Sequence, residues 1–168
     1  MAGKIDPTLD IVFTPASGLD ELVESLAGEG GEEVDYQLEG HLEALTDALA
    51  AGTATVEKSL AKRRKSMNDL AEALRKVWLE GEVPRCGAEL KVRAAEALGA
   101  WSAAVGEPRA DIVKRLKAKR FEHRMWAARA VRAAGWDDAD DVLAPLAEDP
   151  YEDDNGFYLV REAAGFTD

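Results

Sequence analysis

Residues 92–98 read VRAAEAL, and the same character returns as MWAARAV at 125–131 and as VREAAGF at 160–166. The three starts lie 33 and 35 residues apart. The stretches between them also correspond, with Ile112, Val113 and Leu116 standing 30 residues before Val142, Leu143 and Leu146. A period in this range with two helices per unit is the pattern of a helical solenoid. One helix pair cannot bury its apolar stripe alone, so each pair stacks on the next. Alanine favours helix and lets helices approach closely. Leu98, Trp101, Leu116, Trp126, Val131 and Leu146 are the larger side chains expected to fill the space between layers.

The stretch YEDDNGFYLVRE at 151–162 has a second reading. Counted back from Gly156, its oxygen-bearing residues match an EF-hand loop, with Asp153, Asn155 and Glu162 in ligand positions. The first ligand position holds Tyr151 instead of an acid. Between two helical segments the stretch reads more simply as an inter-repeat connection. It would run from a second helix ending near Glu148 to a first helix starting near Phe157. Asp153, Asp154 or Asn155 would then cap that helix, where negative charge meets the positive end of the dipole.

This arrangement resembles the HEAT-repeat family, in particular the short bacterial repeats also found in phycobilin lyases, over roughly residues 88–168. The V-R-x-A-A-like starts carry the resemblance, together with V-L-x-x-L-like runs in the second helices. Asp149-Pro150 follows one such run and Arg120-Phe121 the other. Lys119 and Arg120 depart from the pattern, standing where an apolar residue and an acidic turn would fall. The last unit shows only its first helix, which implies that the N-terminal region or another chain covers it. The resemblance implies a short α-solenoid whose second helices line a concave binding face. It implies little about activity, because function resides in sites and not in folds.

Upstream, residues 5–15 alternate weakly and stop at Pro15, as a short strand or extended arm would. LDELVESLAG at 19–28 follows as a short helix. Val34, Leu38, Leu42, Leu45 and Leu49 form a helical stripe closed by Gly52. A second stripe runs through Val56, Leu60, Met67, Leu70, Leu74, Val77 and Trp78. The expected class is all-α: an acidic arm with a short helix at 1–31, a helical hairpin at 32–80, and HEAT-like repeats at 88–168 that continue the hairpin as one domain. GEVPRCG at 81–87 is the clearest internal boundary.

At 168 residues the chain can bury about 70% of its unfolded surface in one domain. Its single cysteine, Cys86, permits no internal disulfide. The sequence has no signal-like N-terminus and no apolar run of spanning length, so we expect a soluble, cytoplasmic protein. The net charge of -12 conceals a segregation. Residues 1–55 carry -11, residues 56–132 carry +9 and residues 133–168 carry -10. Such polarity points either to a charged partner or to acidic ends neutralising a basic middle.

Catalysis has little to build on. His41 lies between apolar helical positions, and His123 lies at a helix start. Two histidines and one cysteine do not complete a structural zinc site without carboxylates. The sequence has no glycine-rich phosphate loop and no G-x-S-x-G elbow. We therefore expect no cofactor, no metal and no enzyme. Asp137, Asp138, Asp140 and Asp141 are expected to cap a helix N-terminus, or to face a cationic partner if the protein is a small acidic inhibitor of the immunity type. Two basic clusters are the other candidate contacts. One is Lys58, Lys62, Arg63, Arg64 and Lys65 on the hairpin; the other is Lys114, Arg115, Lys117, Lys119 and Arg120 on a repeat's second helix. The expected function is a non-catalytic protein-protein interaction module. Nucleic-acid binding through the basic middle is the alternative, against which the acidic ends weigh. A phycobilin-lyase-like enzyme is a third reading, which only the family resemblance supports.

Overall fold

The computed structural model describes residues 40, 42–43, 46–47, 49–50, 88–105 and 108–167. The expected arm at 1–31, most of the expected hairpin, His41, Cys86 and the cluster containing Lys62 and Arg63 lie outside these residues. Among the described residues the secondary structure is helical with no strand, as an all-α chain requires. The elements are α1 (Ala88–Val105), α2 (Arg109–Arg115), α3 (Phe121–Ala134), α4 (Ala139–Leu143) with a 3₁₀ turn at Ala144–Leu146, and α5 (Leu159–Ala163).

The three similar segments fall in α1, α3 and α5. α1 packs most extensively on α3, and α3 on α5. α2 contacts both α1 and α3, while α4 contacts α3. The core is continuous across these layers: Ala94, Ala97 and Leu98 of α1, Ile112 of α2, Ala127, Ala130 and Val131 of α3, Leu143 of α4 and Val160 of α5. Leu42 and Leu49 join it from the helical residues upstream. All six large side chains expected between layers are buried, Trp101, Leu116 and Trp126 retaining only a small exposed edge.

Small residues set the spacing of the central crossing. Gly99 of α1 lies against the backbone of α3. A Cβ added there would stand 2.6 Å from the carbonyl carbon of Ala130 and 2.8 Å from its Cα, closer still to its oxygen. The buried Ser102 hydroxyl donates to the Gly99 carbonyl at 2.7 Å and so satisfies itself within α1.

The helix ends follow from local chemistry. α3 stops at Gly135, whose φ of 60° lets its N–H reach the Val131 carbonyl in a left-handed C-cap. Pro145 lacks an N–H, and the chain tightens from α4 into the 3₁₀ turn around it. α5 closes with paired bonds from Phe166 N–H to the Arg161 carbonyl and from Gly165 N–H to the Glu162 carbonyl, a Schellman arrangement.

Three sequence expectations need correction. The acids of the 151–156 stretch do not cap α5, whose N-cap position is Tyr158 with no side-chain cap bond. Asp153 closes its own turn: one carboxylate oxygen accepts from the N–H groups of Asn155 at 2.9 Å and Phe157 at 2.8 Å. Asp138 occupies the N-cap position of α4 but makes no side-chain cap bond there, because it pairs with Arg109 of α2. The basic run 114–120 is not one helix either. α2 ends at Arg115, and Lys117, Lys119 and Arg120 lie on the turn that follows.

Candidate partner-binding surface

The turn between α2 and α3 is built from the inside. α2 tapers through bonds from Leu116, Lys117 and Ala118 N–H to carbonyls three residues back. The chain is extended at Arg120 before α3 begins. One turn into α3, the guanidinium of Arg124 reaches back and donates to the carbonyls of Ala118 and Lys119, each at 2.9 Å. The same group grips Asp149 with two bonds, Nε to Oδ2 at 2.6 Å and Nη2 to Oδ1 at 3.0 Å. Asp149 is buried, and its bond holds the Arg124 pKa above the ordinary value despite the opposing effect of burial. Asp149 also receives the Tyr151 N–H on its carboxylate and Arg161 Nε on its carbonyl. Phe121 stacks on Tyr151 at 3.5 Å. Interior charge pairing thus braces a turn whose outer face carries Lys114, Lys117, Lys119 and Arg120, all exposed.

Beside this face lies a half-buried group. Arg115 Nη1 is 3.1 Å from His123 Nδ1. A guanidinium only donates, so Nδ1 accepts and Nε2 carries the proton of a neutral imidazole. Burial first, then the charges of Arg115 and Arg120, with a smaller push from Lys91, hold the His123 pKa below its ordinary value; Glu122 opposes them. Burial pushes the Glu122 carboxyl up. Its own backbone N–H and the Arg120 guanidinium at 3.2 Å outweigh that, and its pKa falls below the usual carboxylate range. The Trp126 ring sits 5.5 Å from the His123 ring, and the Lys91 ammonium lies over it at 5.4 Å. Trp126 is 6% exposed, yet its Nε1–H has no acceptor among the described residues. An unpaired buried donor of this kind costs about 1–3 kcal/mol.

The acidic candidates lie elsewhere and are partly engaged. Asp138 pairs with Arg109 at 2.6 Å, and Arg109 also stacks over Trp136. Asp140 pairs with Arg132 at 2.7 Å, and Arg132 Nε donates to the Ala164 carbonyl at 3.0 Å. Asp137 and Asp141 are exposed. The Asp138 pair ties α2 to the start of α4 and the Asp140 pair ties α3 to α4, while the Arg132–Ala164 bond ties α3 to the end of α5, so two of the four acids are engaged with other helices. Lys62 and Arg63 are outside the described residues. Among the described residues no three His, Cys, Asp or Glu side chains gather as a metal site would require, and no helix is long and apolar enough to cross a membrane.

The structure therefore brings Lys114, Arg115, Lys117, Lys119 and Arg120 together around one braced turn and sets the aspartates apart from it. The sequence reading missed Lys91 and Arg124, and assigned Trp126 to the core without placing it beside His123. His123 and Trp126 are three apart, so one helix face was the available clue for that pair; Lys91 had none. The chain matches no family model, no curated protein and no solved structure.

Proposed function

We propose that the protein is a non-catalytic interaction module: a helical hairpin continued by a short HEAT-like solenoid that binds a protein partner through the basic α2–α3 turn. The stacking of α1 on α3 and α3 on α5, with α2 and α4 as second helices, supports the solenoid reading. The observation that carries the binding reading is the contrast between the two kinds of charge. Lys114, Lys117 and Lys119 are exposed and form no ion pair with any described residue, whereas Asp138 and Asp140 each hold an arginine. A face of exposed lysines on a braced turn favours an acidic surface and speeds its approach. It favours the basic contact over the aspartate cluster of an acidic inhibitor.

The test is Lys114→Glu combined with Lys117→Glu in the full chain. Affinity purification from the native cell, with and without nuclease, is expected to yield a stoichiometric protein partner that survives nuclease and is lost with the double variant. The melting curve of that variant should match wild type. Nuclease-sensitive recovery alone would replace this reading with nucleic-acid binding by the same cations.

A further inference from the structure

We infer that Asn155 is a site of spontaneous covalent modification, where its side-chain amide becomes a carboxylate through a cyclic imide, and that the turn closed by Asp153 sets the rate. Asn155 is exposed, and its side-chain amide makes no hydrogen bond with any described residue. The exposed Gly156 follows it. The Gly156 nitrogen gives up its proton to water or hydroxide and attacks Cγ of Asn155. The new N–Cγ bond closes a ring, the bond from Cγ to the side-chain nitrogen breaks, and that nitrogen takes a proton from water and leaves as ammonia. Water then adds to either ring carbonyl and opens the ring. One opening leaves aspartate and the other isoaspartate, in which the main chain runs through the former side chain. Water is the sole co-reactant. Asparagine is thermolabile, and glycine hinders the attack least because no Cβ stands beside the nitrogen.

The dipeptide alone does not show what the structure adds, a hold on the attacking atom. The Gly156 N–H donates to the Asp153 carbonyl at 3.0 Å. The N–H groups on either side of it, those of Asn155 and Phe157, both donate to Asp153 Oδ1, at 2.9 and 2.8 Å. The Asp153 N–H in turn donates to the Phe157 carbonyl at 2.9 Å. The reaction therefore runs from the opened turn, whose population these bonds set. Aspartate would add a negative charge to a turn that already carries Glu152, Asp153 and Asp154. Isoaspartate would lengthen the main chain between Asp153 and Phe157 and take the bonds to Oδ1 out of register. The change falls just before α5, which begins at Leu159.

The modification goes beyond the partner reading and involves none of its side chains, so either can fail without the other. The experiment holds the full chain warm at mildly alkaline pH and samples it by trypsin digestion and mass spectrometry. Trypsin releases the segment between Arg132 and Arg161, in which Asn155 has the only side-chain amide. A gain of the mass difference between carboxyl and amide in that peptide is therefore a gain at Asn155.

Wild type is expected to yield two isomeric products separable by chromatography, aspartyl and isoaspartyl, more slowly than a capped peptide of sequence 151–157 does. Asp153→Ala removes both side-chain bonds of the turn and should speed the conversion at least about tenfold. Asp153→Ser, whose hydroxyl closes such turns more weakly, should fall between. The α3 amides of Asp153→Ala should keep their wild-type hydrogen exchange, which ties the acceleration to the turn and not to unfolding. Full-chain protein that gains no mass while the peptide converts completely overturns the site. Aspartate without isoaspartate overturns the cyclic-imide route, and an Asp153→Ala rate equal to wild type overturns the role of the turn.

Discussion

Gly99→Ala sets two well-measured effects against each other, and the structure predicts which one wins. Alanine is the better helix former by about 1 kcal/mol in a helix interior. From the sequence alone, the change in the middle of α1 should stabilise the protein. The crossing with α3 says otherwise, because the new methyl would meet the Ala130 carbonyl carbon at 2.6 Å and its Cα at 2.8 Å. Carbon atoms at rest stand about 3.5–4.0 Å apart. Relief requires about 1 Å of local separation, and both surfaces are backbone, with no rotamer to turn aside. Overpacking of this kind costs about 1–3 kcal/mol, and a backbone clash belongs at the upper end. The net effect is a loss of about 2 kcal/mol. For a chain of this length that lowers Tm by about 4–8 °C. Thermal unfolding by circular dichroism measures it, with a urea titration to check that the denaturant slope is unchanged. An unchanged or higher Tm would mean that α1 and α3 do not approach as described, and the packing argument would fall with it.

Asp149→Asn should destabilise the protein by about 3–5 kcal/mol, since it leaves the half-buried Arg124 cation without its carboxylate; urea unfolding checks this. His123 makes stability depend on pH with a definite sign. Its folded pKa lies below the unfolded value of 6.5, so below that pH the unfolded chain takes up the proton first. The contribution is therefore complete above pH 6.5 and is lost as pH falls from there through the folded pKa. The Tm advantage of wild type over His123→Gln should shrink between pH 7.5 and 5, and a constant difference would contradict the assigned environment. Arg132→Gln removes bonds to the Ala164 carbonyl and to Asp140. Hydrogen exchange should then quicken in α5 before α3, because α3 keeps its packing on α1.

The apolar side of this fold was readable because the similar segments carry buried side chains of the same kind. Leu98, Leu116, Trp126, Val131 and Leu146 are core positions that any stacking of similar helix pairs would bury. Gly99 lay outside that reading, since its requirement comes from a crossing and not from a period. The polar side was read less well for a physical reason. Asp138 has an acceptor's choice between the N–H groups of α4 and the guanidinium of Arg109, and the winner stands 29 residues away. A capping rule sees only the near option. Asp153 made a third choice, closing the turn it stands in.

The same limit explains what the segment charges conceal. The +9 of residues 56–132 treats every cation as equal. In the structure, Arg109, Arg124 and Arg132 hold Asp138, Asp149 and Asp140, acids that all belong to the -10 segment that follows. Part of the polarity in the sequence is therefore internal pairing between neighbouring layers. Among the described residues, Lys114, Lys117, Lys119 and Arg120 stand exposed on the turn that Arg124 fixes from within. An arginine acting as a brace and lysines acting as a display look alike in a charge count. Long, flexible lysines suit an exposed contact, and the planar fork of arginine suits the bidentate grip on Asp149. Exchanging these roles separates them: Arg124→Lys should cost stability and leave the surface charge unchanged, while Lys117→Arg should leave both stability and partner binding intact.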